Sequence, residues 1–389
     1  MKILIIITDL GSFNNFLAEL AIECSKKHEL HIICSYDNII CIKNKYNYSQ
    51  YAIFFHEVSI PRSFSIINLF KASNEIRNLI KSINPNIVHA HFTTGILPSI
   101  LLKVDGIPYM GTFHGLGLNA STGFRRLVFF IVEFYCFLRL DKIILINNKD
   151  FAFVNTLFKN KVKKPLAYGV GCDLLKFNKS NFTKEDKLSF KKNLGIKDEF
   201  VITYTGRFVE FKGFDMVYKS FKLIESRFPN KFILLLIGGS DPIHKTGLST
   251  KELNELSINK SIINIGFTST VEKYLAISDL FLFPSKKEGL PVCIMESLAM
   301  GVPVLSLEER GNSDLIMNDF NGFLIESISK KNDINAITSK IEYFFKNKKT
   351  LTLFSLNGLS EREKYSRDHF INEHIELYSN MLNQHKLNK

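Results

Sequence analysis

The chain has 389 residues, of which 46% are hydrophobic and 23% charged, and it carries a formal net charge of +12. This length predicts two domains, and this composition supports a large buried core and excludes an intrinsically disordered chain. The basic balance predicts an anionic partner, which is a nucleotide, a phospholipid surface or a nucleic acid.

The first part of the chain is the more basic. Residues 1–168 hold 19 Lys and Arg against 11 Asp and Glu. The six cysteines show neither a C-x-x-C pair nor zinc-finger spacing, so we expect reduced, structural thiols and a cytoplasmic protein. Neither a signal peptide nor a membrane span is expected, because the first apolar run ends at Asp9 and the longest, Leu127 to Leu138, contains Glu133.

Short apolar runs alternate with helix-length segments along both halves of the chain, which predicts parallel strands joined by helices. Helices are predicted at 13–27, 66–83 and 121–140, and a linker is predicted near 160–180. The predicted strands are 2–8, 30–34, 51–58, 86–90, 108–113, 142–146, 200–205, 232–237, 261–265, 279–283, 303–306 and 322–325. This order predicts an α/β chain of two doubly wound, Rossmann-like domains.

Loops that contain glycine, histidine or arginine are predicted at the carboxyl ends of these strands, where ligands bind in such sheets. Seven loops at these edges predict a cleft between the two domains. They begin at Gly11, His89, Gly111, Gly206, Gly238, Glu288 and Gly311.

Histidines are prominent at two of these ends. We expect His89 and His91 to point to opposite faces of their strand, so that they would not bind a metal together. His114 lies in a Thr-Phe-His-Gly loop whose glycines favour close approach of a ligand, with a structural role as the alternative. No Asp-x-Asp pair stands at a strand end, so no metal site is predicted.

The helix predicted at 121–140 places Arg125 and Arg126 before an aromatic-rich face. A core helix of the first domain is the favoured interpretation. The alternative is an element that lies against an anionic membrane surface.

Two carboxylates flank a predicted helix start that follows a buried strand. Pro291 suits the first helical position and Gly301 the C-terminal cap, and Glu288 and Glu296 lie before and inside this helix. Taken alone, they are typical of surface charge.

A second basic motif follows strand 200–205, where Arg207 and Lys212 share one predicted loop. An arginine fork and a lysine point charge suit a diphosphate, with solvated surface charge as the alternative. The sequence has neither a Walker loop nor a G-x-G-x-x-G followed by an acidic residue, which argues against a dinucleotide redox site.

Together these motifs resemble the retaining glycosyltransferases of the GT-B fold, the family 4-like group. The resemblance rests on Glu288 and Glu296 with seven residues between them, on Gly206-Arg207 with Lys212-Gly213, on the glycine pair 238–239 and on the Thr-Phe-His-Gly loop. The segments Gly169–Phe177 and Tyr365–Tyr378 resemble that family's hinge and closing helix. Two positions depart from it, since Leu10-Gly11-Ser12 replaces a Gly-Gly pair and Asp314 stands where a Glu is usual.

The resemblance implies two Rossmann-like domains that face a central cleft. Residues 1–168, with a crossover helix at about 366–389, would form the acceptor side, and residues 169–365 would bind the donor. It also implies retention of the anomeric configuration, with no metal and no other cofactor.

Residue roles follow from the same resemblance. Arg207 and Lys212 would hold the donor diphosphate, Glu288 would bind hydroxyls of the transferred sugar, and His114 would reach that sugar from the opposite domain. Glu296 would bind the ribose. The remaining donor-binding positions would be Gly289, Leu290, Gly206, Gly238, Phe267 near the base, and Gly11.

The His-Gly-Leu-Gly loop and the hinge resemble bacterial enzymes that extend O-antigen or capsule repeat units. This implies transfer of a hexose or N-acetylhexosamine from a nucleotide-diphosphate sugar, with a UDP-sugar favoured, to an undecaprenyl-diphosphate-linked sugar. The protein would then lie peripherally on the inner face of the cytoplasmic membrane. Alternatives within the fold are a UDP-sugar 2-epimerase and a glycosyl phosphorylase. A basic nucleic-acid-binding protein is the alternative from another class, although the sequence lacks a recognised nucleic-acid motif and no nucleic-acid partner is expected.

Overall fold

The computed structural model describes residues 1–36, 46–62 and 65–387, with side chains as far as Gln384. The chain divides into two compact units, of which unit 1 comprises Met1–Val170 and Asp368–Lys389 and unit 2 comprises Gly171–Arg367. Cys41 lies outside the described residues, and the cysteines within them are free thiols.

Unit 1 is built on a parallel sheet in the order β3-β2-β1-β4-β5-β6-β7. Its strands are β1 Lys2–Asp9, β2 Glu29–Ser35, β3 Ile53–Glu57, β4 Ile87–His91, β5 Tyr109–Phe113, β6 Lys142–Leu145 and β7 Val162–Lys163. Its helices are α1 Leu10–Phe16, α2 Ala18–Ser25, α3 Ile66–Ile83, α4 Phe92–Leu101, α5 Gly117–Ala120, α6 Gly123–Arg139 and α7 Asn148–Phe158, and the last helix of the chain, Arg367–Leu387, lies almost wholly in this unit.

Unit 2 repeats the plan with a parallel sheet in the order β10-β9-β8-β11-β12-β13. Its strands are β8 Phe200–Phe208, β9 Phe232–Ser240, β10 Ile262–Gly266, β11 Leu280–Phe283, β12 Val304–Leu307 and β13 Gly322–Ile325. Its helices are α8 Lys184–Asn193, α9 Phe214–Arg227, α10 Thr250–Ile258, α11 Val271–Ala276, α12 Val292–Ala299, α13 Asn312–Leu315, α14 Lys330–Lys346 and α15 Lys348–Ser360, which makes Arg367–Leu387 helix α16.

Both sheets are the doubly wound type that the alternation of apolar runs predicts. The inner strands are buried along nearly their whole length because helices cover both faces of a parallel sheet, whereas the edge strands β3 and β10 are only partly buried. In each unit the strand order reverses once, between β1 and β4 and between β8 and β11. Such a reversal opens a crevice at the carboxyl ends of the two strands, which is where ligands bind.

Several of the predicted loops are wrong, because they are strand ends or a helix start. β8 and β9 stay paired to their ends, with Gly206 opposite Gly238 and Arg207 opposite Gly239. His89 and His91 lie inside β4, Gly111 lies inside β5, and Gly11 lies in the first turn of α1. At the ends of β8 and β9, hydropathy misses strand residues because pairing of the backbone continues after the apolar side chains stop.

Helix α6 fits the favoured interpretation only in part, since one face packs against the core of unit 1 and the other is exposed. Only Glu133, Cys136 and Phe137 of this helix are buried. Its exposed large apolar side chains are Phe124, Leu127, Phe130, Ile131 and Leu138. Among the helices that the structure describes, none is long and apolar enough to cross a membrane.

Candidate functional site

Three charged side chains lie at the switch point of unit 2, which is the crevice at the carboxyl ends of β8 and β11 where the strand order reverses. Arg207 stands in the last residues of β8, and Lys212 ends the 3₁₀ turn Glu210–Lys212 that follows. Glu288 lies in the loop between β11 and α12. The carboxyl ends of two neighbouring strands therefore supply a cationic side and an anionic side to one crevice.

Lys212 and Glu288 form a direct ion pair. The Lys212 ammonium nitrogen lies 2.5 Å from Glu288 Oε1, and the Ser285 hydroxyl donates to the same oxygen at 2.6 Å. The Arg310 Nε–H donates to the Glu288 backbone carbonyl at 2.9 Å. The Glu288 side chain is only 9% exposed, so these contacts hold a largely buried carboxylate in one orientation.

Close backbone approach at Gly213 makes this pair possible. Gly213 has φ +76°, and a Cβ there would lie 2.2 Å from the Pro284 carbonyl oxygen at the end of β11. Only glycine lets the turn that carries Lys212 rest on the strand that leads to Glu288.

Arg207 pairs with a different carboxylate, so the prediction that Arg207 and Lys212 share one loop is wrong. The Arg207 Nη1 lies 2.5 Å from Asp241 Oδ2, and the side chain remains 53% exposed. Its guanidinium carbon lies 5.4 Å from the centre of the Phe211 ring. Arg207 therefore offers most of its donors to solvent or to a ligand at the end of β8.

Asp241 is a site residue that the sequence reasoning missed. Hydrogen bonds from the Ile243 backbone N–H and from His244 and Arg207 together lower the pKa of Asp241 to about 2. The sequence feature that could have indicated it is an acidic residue just after the glycine pair 238–239. Its partner lies 34 positions earlier in the chain, so only the β8–β9 pairing shows the connection.

Helix α12 is capped much as its sequence predicts. Pro291 precedes the helix as its N-cap instead of occupying the first helical position, and Gly301 follows its end with φ +67°. Glu296 is half-buried in the helix, and its charge adds to burial in raising the pKa of the Cys172 thiol. The Glu288–Glu296 segment thus spans from the ion pair with Lys212 to the side of α12 near Cys172.

The other predicted donor-binding residues lie around the same sheet edge of unit 2 in differing environments. Leu290 is buried, Gly289 is half-buried, and Phe267 is 95% exposed just after β10. Gly238 lies so close to β8 that a Cβ there would stand 2.0 Å from the Gly206 carbonyl oxygen. Gly11 belongs to unit 1 and not to this edge.

In unit 1 the histidines form a cluster at the end of β4, in which His89 and His91 are buried and His114 is half-buried. The prediction that His89 and His91 face opposite sides is wrong, because residues two apart in a strand share a face, and their ring centres lie 4.0 Å apart. His91 Nδ1 and His114 Nε2 share a hydrogen bond of 3.1 Å. His89 contacts the Tyr378 hydroxyl at 2.8 Å and the Thr112 hydroxyl at 2.7 Å.

These histidines are held neutral. Burial lowers the pKa of His114 to about 3 and, with the neighbouring imidazoles, lowers that of His91 well below its usual value. A neutral imidazole has one donor and one acceptor nitrogen, and the His91 bond occupies Nε2 of His114. Nδ1 is then the His114 nitrogen that is left to meet a ligand.

Two buried carboxylates shape the loop that carries His114, and the sequence reasoning did not assign them. Glu133 accepts hydrogen bonds from the backbone N–H groups of Gly117 and Leu118 and from the Thr93 hydroxyl. Asp150 accepts one from the Leu116 N–H at 2.9 Å. Two features of the sequence could have indicated them. Glu133 is a carboxylate within an apolar run, and Asp150 follows a predicted strand.

Backbone strain marks the same place. Phe92, directly after β4, has φ +60°, which is unfavourable for a bulky side chain. Its ring stacks on His114 with centres 4.3 Å apart. Strained residues of this kind collect at functional sites, so the end of β4 is a second candidate site in the molecule.

In the part of the chain that the structure describes, His, Cys, Asp and Glu side chains form no group of three or more that could hold a metal ion. Lys and Arg side chains supply the positive charge at the switch point of unit 2.

Known proteins resemble this chain in sequence. A family of glycosyl transferases of group 1 matches residues 186–360, and a family of glycosyl transferase 4-like proteins matches residues 6–147. The UDP-Gal:α-D-GlcNAc-diphosphoundecaprenol α-1,3-galactosyltransferase of Escherichia coli is 28% identical over 290 residues, 72% of either chain. The capsular polysaccharide biosynthesis glycosyltransferase CapM of Staphylococcus aureus is 26% identical over 336 residues, 85% of this chain and 86% of that one.

A solved structure resembles it in fold. Sucrose-phosphate synthase from Thermosynechococcus elongatus superposes with a TM-score of 0.80 at 16% identity, over 99% of this chain and 100% of that one. Two parallel Rossmann-like sheets with this likeness are the GT-B fold that the sequence predicts.

Proposed function

This chain belongs to the group 1, family 4-like glycosyltransferases, and from that premise we propose that it moves a hexose or N-acetylhexosamine from a UDP-sugar to a lipid-linked acceptor with retention of configuration. The observation that carries the proposal is the Lys212–Glu288 pair at the switch point of unit 2. It brings a cation suited to a diphosphate and a carboxylate suited to sugar hydroxyls into direct contact.

We assign the donor diphosphate to Arg207 and Lys212. Lys212 has three N–H donors and Arg207 has five, so each retains donors beyond those that face Glu288 and Asp241. Positive charge fixed beside the leaving phosphate stabilises the charge that develops as the glycosidic bond breaks. These two side chains supply that charge from the protein itself.

We assign the transferred sugar to Glu288 and the ribose to Glu296. Lys212 and Ser285 fix the orientation of the Glu288 carboxylate, so it is set before a hydroxyl arrives. Preorganisation of this kind removes the cost of ordering the site during the reaction. The Gly289 and Leu290 backbone, Gly238 and Phe267 are proposed to complete the donor site.

We assign His114 to the transferred sugar and unit 1 to the acceptor. The similarity to an enzyme named for a GlcNAc-diphosphoundecaprenol acceptor supports an undecaprenyl-diphosphate-linked sugar, and the similarity to a capsule enzyme supports repeat-unit assembly. The exposed apolar residues of α6 support a peripheral position on the inner face of the cytoplasmic membrane.

A donor screen tests this function. Purified protein is incubated with a polyprenyl-diphosphate-linked sugar and one of four donors, which are UDP-glucose, UDP-galactose, UDP-N-acetylglucosamine and UDP-N-acetylgalactosamine. The mass of the lipid product is then measured by mass spectrometry. We expect one donor to add the mass of one sugar residue and Glu288→Gln to abolish that addition. Glu308→Gln, an exposed carboxylate, is the matched control. A fully active Glu288→Gln variant would remove Glu288 from the site.

The same incubations separate the alternatives. A UDP-sugar 2-epimerase converts UDP-N-acetylglucosamine without any acceptor, and a phosphorylase needs inorganic phosphate. Nuclear magnetic resonance of the product then reports the configuration of the new glycosidic bond, and an inverted anomer would contradict the retaining mechanism.

A further inference from the structure

We propose that a cavity between α3, α4 and α6 of unit 1 binds the diphosphate and the first isoprene units of a polyprenyl-diphosphate acceptor. The inference rests on the proposed function and adds to it a place and a set of residues for the lipid end of the acceptor.

The cavity has a volume of about 380 Å³, which is within the usual range for small-molecule sites. Its wall is mainly hydrocarbon with two guanidinium groups. The side chains that define it are Leu69 of α3, Leu97 of α4, Phe124 and Phe129 of α6, and Arg62 and Arg125.

The two arginines differ in how far their charge is already used. Arg62 lies 3.2 Å from Asp9, the residue that caps α1. Arg125 forms no ion pair in the part of the chain that the structure describes, and its guanidinium carbon lies 5.7 Å from the centre of the Phe129 ring. Arg125 therefore retains its charge and its paired donors for a diphosphate.

Charge on the outside of α6 has a single sign. Its charged side chains are Arg125, Arg126 and Arg139, which are exposed, and Glu133, which is buried and bonded to the loop beneath. An anion that approaches α6 from solvent consequently meets cations alone on this helix.

Exposed apolar side chains continue from the cavity along both neighbouring helices. On α3, Ile66 and Ile67 are 72% and 82% exposed. On α6, Phe124, Leu127 and Ile131 recur at helical spacing and are 81%, 53% and 59% exposed. Apolar residues in such an arrangement suit insertion of a lipid tail or contact with a bilayer.

One side of the cavity is formed by the start of α4, directly after the histidines of β4 in the chain. Thr93 and Thr94 line it, and the Thr94 hydroxyl shares a hydrogen bond of 2.6 Å with Thr8 of β1. Phe92, the neighbour of Thr93, stacks on His114. A diphosphate held by Arg125 would thus place its attached sugar toward the His114 end of unit 1.

An apolar cavity wall beside exposed arginines suits a polyprenyl diphosphate better than a nucleic acid or a phospholipid surface. A nucleic acid presents ribose between its phosphates and has no group for the apolar wall, whereas a polyprenyl diphosphate joins phosphate directly to hydrocarbon. An anionic phospholipid surface would need the exposed cations but not the enclosed cavity. A polyprenyl diphosphate uses both.

Vesicle flotation of the full chain tests the proposal. One set of phosphatidylcholine vesicles contains polyprenyl-diphosphate N-acetylglucosamine, and a second contains phosphatidylglycerol at the same surface charge. We expect wild-type protein to bind the first set at least about tenfold more tightly, the effect of one charge-assisted contact. Equal binding to both sets would overturn the proposal in favour of a nonspecific anionic surface.

Matched variants locate the site. Arg125→Ala should remove about a tenfold preference, whereas Arg139→Ala, on the same helix but outside the cavity, should keep it. Val128→Trp fills the cavity and should act like Arg125→Ala, with Leu138→Trp as its control. Unchanged preference in both Arg125→Ala and Val128→Trp would refute the cavity.

Two further readouts separate this proposal from the proposed function. UDP binding should stay unchanged in every variant, because the substitutions lie in unit 1 and the donor is assigned to unit 2. If wild-type protein shows the lipid preference but transfers no sugar, the proposed function fails alone. If it transfers sugar and Arg125→Ala transfers to the lipid acceptor equally well, the cavity fails alone.

Discussion

At the scale of single residues, the Lys212–Glu288 pair is the largely buried ion pair of the candidate donor site. Both side chains are mostly buried, at 21% and 9% exposure. Removing one partner from such a pair leaves the other charge without compensation, which is costly. The pair is therefore sensitive to single substitutions in a way that the surrounding lysines are not.

Replacing Lys212 with Met should lower kcat/KM for the donor by about 100-fold or more, because the leaving diphosphate loses its nearest cation and Glu288 loses its partner. The control is Lys287→Met, which removes an exposed lysine next to Glu288 in sequence. Steady-state kinetics at varied donor concentration measure both. Equal losses in the two variants would mean that net charge, and not this pair, matters.

At the scale of secondary-structure elements, the paired ends of β8 and β9 position Arg207. Gly206 and Gly238 are directly opposite each other, and the strands approach too closely for a Cβ at Gly238. Gly239 has nothing within 4 Å of its own Cβ position. We therefore expect a side chain to be tolerated at Gly239 and not at Gly238.

Gly238→Ala should destabilise the protein by about 2 kcal/mol or more, since the new methyl meets the Gly206 carbonyl and φ is +129°. Gly239→Ala should be close to neutral. Chemical denaturation of the two variants compares their free energies of unfolding. A Gly238→Ala variant as stable as the Gly239→Ala variant would show that the strands can separate at little cost.

The buried histidines of β4, the His114 loop and α16 couple stability to pH. Burial lowers the pKa of His374 to about 4, opposed by Glu373 and the Phe370 carbonyl and reinforced by Lys163. The unfolded chain takes up protons below about pH 6.5 while the folded chain does not, so stability falls as pH falls through this range. Each such histidine contributes a slope of up to about 1.4 kcal/mol per pH unit.

His374→Gln should reduce this pH dependence, and His369→Gln, an exposed neighbour on α16, should not. Urea midpoints at about pH 7.5 and about pH 5.5 give the comparison. If wild-type protein is equally stable at both values, the histidines are not held neutral in the fold.

Sequence periodicity predicts most of these elements because buried parallel strands are continuous apolar runs. It misses the last residues of β8 and β9, where Gly206-Arg207 and Gly238-Gly239 carry no apolar signal. Candidate residues next to a recognisable motif, such as Glu288 and Lys212, were predicted. Asp241 was missed because its role depends on pairing between distant segments.

Helix α6 shows a second kind of limit. Its sequence is apolar enough for a core, and the favoured interpretation followed from that. Its single carboxylate, Glu133, turns inward with Cys136 and Phe137, whereas its arginines and several large apolar side chains are exposed. The buried side of such a helix depends on the loop that packs against it. The spacing of apolar residues in the sequence does not indicate that contact.

At the scale of the whole molecule, two units of one plan each place polar side chains at the switch point of a parallel sheet. Unit 2 gathers Arg207, Lys212 and Glu288, and unit 1 gathers the histidines and the strained Phe92. The functional assignments to the two units follow from the family to which the chain belongs. In the proposed function, unit 2 would bind the donor and unit 1 the acceptor.

We expect transfer to proceed without a divalent metal, because Arg207 and Lys212 provide the positive charge for the diphosphate. Activity after dialysis against EDTA should remain within about twofold of the untreated enzyme. A loss greater than about tenfold that added Mg²⁺ or Mn²⁺ restores would contradict this assignment.

Transfer of a sugar from a UDP-sugar to a lipid-linked acceptor at this site can be followed through the stoichiometry of its two products. With the active donor, released UDP and glycosylated lipid are quantified together, with and without the acceptor. We predict equal amounts of the two products, dependence of both on the acceptor, and loss of both in Arg207→Ala. Conversion of the UDP-sugar without acceptor, or UDP release without glycosylated lipid, would contradict the account.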